Sequence, residues 1–502
     1  MNIVLYYPKM GMSASLVNHM PLSLLYAAID SLDVGVSVRV VDGRLAPRRW
    51  QQALETQIDS QTHLLGISVM SGAPITNALE VSRWCKKHHP HIKIVWGGPH
   101  TMFHGREVLN EPSVDFSISG YGSLPLARLC RNLRGDADAP EFKDIPGLNY
   151  RHQGAVMTVP VENRFEFIDY KKIPYDLIRA NLDRYGQMEN AERVFSMYSS
   201  MGCPYQCSFC SAPAQYKDIR KKFEIYPFSE VVDHIDHVVS RYGATYIYFI
   251  DDDSFVRISH IEAIIDEIQR RGIRVKLGFR GARINEIKKM SDTFLNKLAD
   301  AGTDIMHIGA ESGSQKTLDL IKKNCTVADI IDVNLKMARH PEIKCAYNWI
   351  VGLPGETIED IHETRKLMIR LIHDNPNVIL FTPNMFRPLP HTELYEMAVA
   401  RGYHKPDLVS EWANVENSVE AKRYETLPWV DETMHRQVEM LQIVTNFIDN
   451  KIFKIDLGNT LKFNILRFLA RLYTPIAWAR VRTGYSGLLF EKTLLQWVSR
   501  LG

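Results

Sequence analysis

Cysteine is scarce in this chain, with seven among 502 residues. A disulfide framework requires a small, cysteine-dense domain, so that architecture is excluded. Long apolar runs are missing as well. No stretch reaches the roughly 18 uninterrupted apolar residues of a membrane span, and no transmembrane helix is predicted. Neither sign of charge dominates: 60 Lys and Arg face 58 Asp and Glu, for a formal charge of +2. That balance argues against a protein that grips nucleic acid along its length. Met1–Pro8 lacks the basic and apolar regions of an export signal, so a cytoplasmic location is expected. What remains, 45% hydrophobic and 24% charged, is the composition of an ordinary globular protein with length for about three domains.

Short β-branched runs alternate with amphipathic patterns over residues 1–135. Strands are predicted at Ile3–Tyr7, Val36–Val41, Leu64–Val69, Ile92–Trp96 and Asp115–Ser119, with helical patterns at Leu22–Leu32, Pro47–Ile58 and Ile75–His88 between them. The fold class is α/β, and this part reads as a doubly wound, Rossmann-like sheet whose ligand crevice lies at the strand carboxyl ends. Three of those ends are rich in glycine or small residues: Ser68–Ala73, Gly97-Gly98-Pro99-His100 and Gly120-Tyr121-Gly122-Ser123. Any one of them reads as a tight turn; three in succession point to a bulky ligand approached closely by backbone. Residues 136–190 break the rhythm and read as a linker, with a small hairpin around Gly154.

A second alternating series fills residues 191–398. Its predicted strands are Val194–Tyr198, Tyr246–Ile250, Val275–Phe279, Asp304–Ile308, Ala346–Val351 and Val378–Phe381. Six βα units suit a partial (β/α)6 barrel of the TIM type, with chemistry at the strand carboxyl ends. Over 399–502 strand signals fade into a helical region.

The strongest signal follows the first barrel strand. Met201-Gly202-Cys203-Pro204-Tyr205-Gln206-Cys207-Ser208-Phe209-Cys210 spaces three thiols as C-x3-C-x2-C. A structural zinc site closes with four ligands, and no fourth Cys or His lies nearby. Three thiolates on one loop suit a cubane iron–sulfur cluster with one iron left open; buried core thiols are the plain alternative. Cys85 and Cys130 fall within helical patterns and read as core, and Cys325 and Cys345 are isolated.

With Phe209 before its last cysteine, the triad resembles the radical S-adenosylmethionine superfamily, and the likeness extends over residues 190–395. The resemblance implies a 4Fe–4S cluster on Cys203, Cys207 and Cys210 whose open iron takes S-adenosylmethionine. Reductive cleavage would then give a 5′-deoxyadenosyl radical. It further implies cosubstrate contacts at successive strand ends. Asp251, Asp252 and Asp253 match the acidic site for the methionyl ammonium, although three adjacent acids also suit a solvated loop or a metal. Arg283 would pair with the methionyl carboxylate, unless it is a surface arginine. Glu311 and Ser312, in Gly309-Ala310-Glu311-Ser312-Gly313-Ser314, are similar to the ribose turn, where helix capping by Ser312 or Ser314 competes. Gly352-Leu353-Pro354-Gly355-Glu356-Thr357 resembles the turn that passes the adenine. Pro388-Leu389-Pro390-His391-Thr392-Glu393-Leu394-Tyr395 resembles the family's closing segment, with His391 where glycine usually sits.

The first domain resembles the cobalamin-binding domain of the cobalamin-dependent members of that superfamily. Gly97-Gly98-Pro99-His100 matches their turn, and Gly120-Tyr121-Gly122 sits at another of their contacts. Ser68, Met70, Ser71, Gly97, Gly98, Pro99, His100, Gly120, Tyr121 and Gly122 are thereby implied cobalamin contacts. The D-x-H-x-x-G string that supplies a lower cobalt ligand is absent: Asp42-Gly43-Arg44 places an arginine in the histidine's position, and arginine is no cobalt ligand. Either cobalamin is held without a protein histidine, as in several members of the group and as expected here, or the domain has lost the cofactor.

Together these features imply an enzyme that methylates an unactivated carbon of a small molecule, using a 4Fe–4S cluster, S-adenosylmethionine and cobalamin. An electron donor such as flavodoxin or ferredoxin is implied, and no nucleic-acid partner. Cyclisation or rearrangement without methyl transfer is the alternative within the superfamily, and a non-catalytic iron–sulfur redox sensor the alternative outside it. Residues 451–502 carry Lys451, Lys454, Lys462, Arg467, Arg471, Arg480, Arg482, Lys492 and Arg500 against only Asp456 and Glu491, with apolar residues at helical spacing and Trp478 and Trp497 beyond. Such a helix either packs with its charges in solvent or lies on an anionic membrane surface.

Overall fold

In the computed structural model of the protein, residues 1–10, 17, 19–186, 193–415, 427–449, 461–489 and 491 are described, with backbone alone for 461–466. The chain divides into two compact units, one formed by 1–185 with 218–220 and 405–421, the other by the remainder.

The first unit is built on a seven-stranded sheet of order β2-β1-β3-β4-β5-β6-β7. Its strands are β1 (Asn2–Tyr7), β2 (Ser37–Asp42), β3 (Thr62–Ser68), β4 (Lys93–Gly97), β5 (Phe116–Ile118), β6 (Leu148–His152) and β7 (Ala155–Thr158). The first five are parallel, as their apolar runs predict. Each is covered on both faces: in β1, Val4 and Tyr6 enter one core cluster, Ile3 and Leu5 the other. The order 2-1-3-4-5 puts a topological switch point between β1 and β3, with the ligand crevice outside the strand carboxyl ends.

Two stretches lie elsewhere than the sequence suggests. The hairpin within 136–190 does not stand as an isolated link; β6 pairs antiparallel with β5, Phe116 opposite Tyr150, and extends the sheet. Residues 405–415, within the region read as C-terminal helices, cluster with the first unit, where the Trp412 carbonyl accepts from Gly72 N at 2.9 Å.

In the second unit six parallel strands form an open barrel wall of order β15-β14-β13-β12-β11-β8. They are β8 (Val194–Met197), β11 (Tyr246–Phe249), β12 (Lys276–Arg283), β13 (Thr303–Glu311), β14 (Lys344–Val351) and β15 (Val378–Leu380). The two-residue strands β9 (Ser200–Met201) and β10 (Glu224–Ile225) pair across the cysteine loop, and β16 (Asn384–Met385) adds to β14. All six predicted barrel strands are present, but β12 and β13 run past their expected ends to include Arg283 and Glu311. The cause in β12 is Gly281, which reads as a turn in sequence. A Cβ there would lie 2.8 Å from Asp252 O and 2.9 Å from Asp251 O, so only glycine lets the acidic loop pack against the continuing strand. His391 adopts φ +63°, the left-handed conformation that glycine takes most readily.

Candidate functional site

The cysteine loop leaves β9 at the carboxyl end of the barrel wall. Cys207 is buried; Cys203 and Cys210 are half-buried. The Cys210 amide donates to the Cys207 carbonyl at 3.1 Å, and Ala212 N donates to Cys210 Sγ at 3.4 Å. Burial pushes the Cys203 thiol up to about 12 and Cys210 up to about 11, so a bound cation must supply the free energy to deprotonate them. Among the described residues no three His, Cys, Asp or Glu side chains converge on a single metal-ion position. The donor set instead fits a cubane, in which each thiolate takes a separate iron and the sulfurs need not converge. Phe209 is half-buried on the same loop.

The three aspartates after β11 have three different situations. Asp251 is fully engaged: it accepts from Ser199 N and Ser200 N at 2.7 Å each, Ser199 Oγ at 2.9 Å and Ser254 Oγ at 3.0 Å. It thus fixes the backbone that leads to Cys203. Asp252 accepts from the Tyr216 hydroxyl at 2.8 Å. Asp253 is 1% exposed; Oδ1 accepts from Phe255 N at 3.0 Å, while Oδ2 is buried with no hydrogen-bond partner. Burial, with the charge of Glu286 beside it, pushes its carboxyl up to about 7. A buried carboxylate oxygen without a donor is costly, and an ammonium group would satisfy it. Of the three, Asp253 alone has a buried carboxylate oxygen left for a donor.

Arg283 ends β12, buried. Its Nη1 donates to Cys207 Sγ at 3.0 Å, Nη2 to the Lys323 carbonyl at 2.7 Å, and its guanidinium stacks 4.0 Å over Tyr205. The Tyr205 hydroxyl in turn donates to Glu286. This is no surface arginine; it braces the cysteine loop and reaches the Cys207 sulfur directly.

Glu311, the last residue of β13, takes φ +65° and forms a buried ion pair with Lys323 at 2.7 Å. Ser312 does not share its surroundings: its hydroxyl meets Thr364 Oγ1 at 3.0 Å and accepts from Ser314 N at 3.1 Å. Ser314 is the helix cap, accepting from Thr317 N, and its hydroxyl donates to Asp360 Oδ1 at 2.6 Å. Asp360 also completes a capping box with Thr357 in front of the helix Ile358–Asp374. The ribose-type and adenine-type turns are therefore tied together through one carboxylate. Lys323, Glu286, Tyr205 and Tyr216 escape the sequence reading, because no spacing links them to the motifs they support.

Gly352, Leu353 and Pro354 are buried at the end of β14. Glu356 turns back to accept the amides of Gly352 and Leu353, while the Trp429 indole donates to Gly352 O at 3.0 Å. Glu356 Oε1 is buried without a partner, and burial pushes the carboxyl from an ordinary 4.5 up to about 8. Across that window the unfolded chain is ionised while the folded one keeps its proton, so stability falls as pH rises. Glu356→Gln retains an oxygen for the two amides and does not titrate. Its melting temperature relative to the parent should rise between pH 5 and pH 8 by at least about 2 °C, the shift of roughly 1 kcal/mol in a domain of this size. Equal differences at the two pH values in scanning calorimetry would contradict this.

In the first unit, Ser68, Met70, Ser71, Gly97, Gly98, Gly120, Tyr121 and Gly122 are half-buried at the carboxyl ends of β3, β4 and β5, and Pro99 is exposed. Gly98 takes φ +96°, and a Cβ there would lie 2.9 Å from both Val69 N and Val69 O. A Cβ at Gly97, by contrast, would meet nothing within 4 Å. The turn packs tightly beneath and leaves room above, as a large planar ligand requires. His100 is not displayed with these glycines. It is 1% exposed, bonded through Nδ1 to Ser71 Oγ at 2.9 Å, with its ring 5.0 Å from that of His104 and 5.9 Å from that of Trp412. Burial, reinforced by His104, holds it down to about 3, so it is neutral. Arg44 is locked to Asp42 by Nε–Oδ1 and Nη2–Oδ2 contacts of 2.9 and 2.7 Å, lies 4.0 Å over the Tyr7 ring, and donates to His19 O at 2.9 Å.

Residues 197–368 match the family model of the radical SAM superfamily, and residues 11–130 match that of the B12 binding domain. The chain is 27% identical over 386 residues to an uncharacterized methyltransferase of Pyrococcus horikoshii, covering 76% of this chain and 78% of that protein. It is 26% identical over 324 residues to an anaerobic magnesium-protoporphyrin IX monomethyl ester cyclase of Cereibacter sphaeroides, covering 64% of this chain and only 51% of the cyclase. Among solved structures it resembles the radical S-adenosylmethionine methyltransferase TsrM from Kitasatospora setae, with cobalamin and a [4Fe–4S] cluster bound. The TM-score is 0.63 at 18% identity, over 80% of this chain and 79% of that one.

Proposed function

The chain belongs to the radical S-adenosylmethionine enzymes that carry a cobalamin-binding domain, and from that premise we propose that it methylates an unactivated carbon of a small-molecule substrate. The observation that carries the reading is the pairing of these two domains in a chain that a methyltransferase matches over three quarters of both lengths. When bound, the cluster supplies an electron for cleaving S-adenosylmethionine, and cobalamin supplies methyl transfer.

The protein's own residues hold and orient. Cys203, Cys207 and Cys210 ligate the cluster, with Arg283 donating to the Cys207 sulfur. Asp253 Oδ2 accepts the methionyl ammonium. Glu311, held by Lys323, accepts from ribose hydroxyls, and the buried backbone of Gly352-Leu353-Pro354 lines the adenine. Gly97, Gly98 and Gly120-Tyr121-Gly122, with Ser68, Met70 and Ser71, cradle the corrin. Arg44, committed to Asp42, offers cobalt no ligand. A small flavodoxin- or ferredoxin-type protein would deliver the electrons.

The test uses anaerobically reconstituted protein, reductant, S-adenosylmethionine with a deuterated methyl group, and a small-molecule extract of the host cell. A product carrying the labelled methyl group, formed together with 5′-deoxyadenosine and S-adenosylhomocysteine, is expected. An unlabelled product that has lost hydrogen, without S-adenosylhomocysteine, would assign cyclisation instead. Neither nucleoside above background would leave a cluster protein without turnover.

A further inference from the structure

The helix Leu461–Thr483 is anchored to the second unit along one side. Ala470, Ala477, Arg480 and Val481 are buried. Arg365 Nη1 donates to the Val481 carbonyl at 2.6 Å, and Gln437 Nε2 to the Gly484 carbonyl at 2.6 Å. Past the helix end, Arg480 pairs with Glu491 at 2.7 Å and donates to the carbonyls of Gly487 and Leu488 at 2.9 Å each. These bonds fix the rotation of the helix about its axis, and with it what the opposite side presents.

That opposite side is apolar. Phe468 is 61% exposed, Leu472 59% and Ile476 44%, one turn apart in a single stripe that Leu469 widens. Of the thirteen large apolar residues exposed among the described residues, six fall between 468 and 488. Elsewhere they are scattered singly, as on any soluble surface.

Charge identifies what the stripe meets. Arg471 and Arg482 stand on one border of it, three helical turns apart, and both are exposed. Trp478 lies on the same border, with the Arg482 guanidinium 5.0 Å over its ring. Between residues 457 and 490 the sequence holds Lys462, Arg467, Arg471, Arg480 and Arg482 and no acidic residue. An apolar stripe bordered by Arg471, Arg482 and Trp478 complements acyl chains beneath anionic headgroups. No helix among the described residues is long and apolar enough to cross a membrane, so contact would be along the surface. We propose that this face of Leu461–Thr483 docks the protein on an anionic lipid bilayer, the helix lying in the plane of the interface.

Flotation of the full-length protein with phosphatidylcholine vesicles, with and without phosphatidylglycerol, tests this. At low salt, at least tenfold more protein should float with the anionic vesicles than with the neutral ones, and added salt should lower the fraction. Phe468→Glu with Leu472→Glu should abolish flotation, and Arg471→Gln with Arg482→Gln should lower it several-fold. Circular dichroism melting reports whether the glutamate pair folds, and Phe468→Ser with Leu472→Ser serves if it does not. Absence of flotation on anionic vesicles, or equal flotation of parent and variants, overturns the proposal. So does light scattering that finds a dimeric parent and a monomeric Phe468/Leu472 variant, which would assign the face to a second copy of the chain.

Discussion

Cys207→Ala should reduce bound iron and the charge-transfer absorbance to background, and 5′-deoxyadenosine formation with them. The expectation comes from the position of this thiol. Cys207 is the buried member of the triad, and its sulfur already receives the Arg283 guanidinium at 3.0 Å. A cubane held by two thiolates would expose two irons to water or adventitious ligands, and the loop itself carries no further cysteine. The folding penalty should be small, on the order of 1 kcal/mol for losing one small buried group, so circular dichroism will still find a folded chain. Tyr205→Phe is the informative control. It keeps the ring beneath Arg283 and removes only the hydroxyl directed at Glu286, so the cluster should remain. If Cys207→Ala retains iron and cleaves S-adenosylmethionine at the parent's rate, the ligand assignment is wrong.

The parts of this site that were legible in sequence are those whose signal is local. Parallel strands buried on both faces appear as short β-branched runs, and all six barrel strands were found that way. The triad stands out because three cysteines share one loop. What remained hidden depends on contacts between distant segments. Arg283 and Glu311 looked like loop residues, since Gly281 and Gly309 imitate turn signals; only the packing of the Asp251–Asp253 backbone on Gly281 shows why the strand continues. The three aspartates are equivalent as a string, and their separate roles arise from Ser199, Ser200, Tyr216 and Phe255, which no spacing rule connects to them. The hairpin of β6 and β7 reads as a hairpin in sequence, but its antiparallel pairing with β5 joins distant segments and leaves no local signal. Several cations of the C-terminal segment, Lys451, Lys454, Lys492 and Arg500, and Trp497, lie outside the described residues, as do the side chains of Lys462, Phe463 and Leu466.

Gly97→Phe should lower cobalamin retained after anaerobic reconstitution at least about tenfold, the effect of 1.4 kcal/mol, while leaving iron content unchanged. The substitution is suited to the question because the backbone tolerates it: Gly97 lies outside the left-handed region, and a Cβ there meets nothing within 4 Å. A benzyl group would therefore project into the open space above the turn rather than into the core. The predicted loss is large because neither Arg44 nor His100 is placed to add a coordinate bond. Arg44 occupies the histidine's place and is held by Asp42, which also accepts from the Tyr185 hydroxyl at 3.0 Å. Freeing Arg44 would leave a buried charge unpaired, at a cost of several kcal/mol. His100 is bonded to Ser71 through Nδ1 and is 1% exposed, packed with His104 and Trp412, so its ring is not displayed at the strand ends. On the proposed reading, corrin binding would rest on the shape of the strand ends, and shape is what a phenyl ring removes. Absorbance and mass spectrometry of the reconstituted variant would read the result. Undiminished cobalamin in Gly97→Phe would place the corrin elsewhere, and a parent that retains none under the same conditions would remove the cofactor from the mechanism.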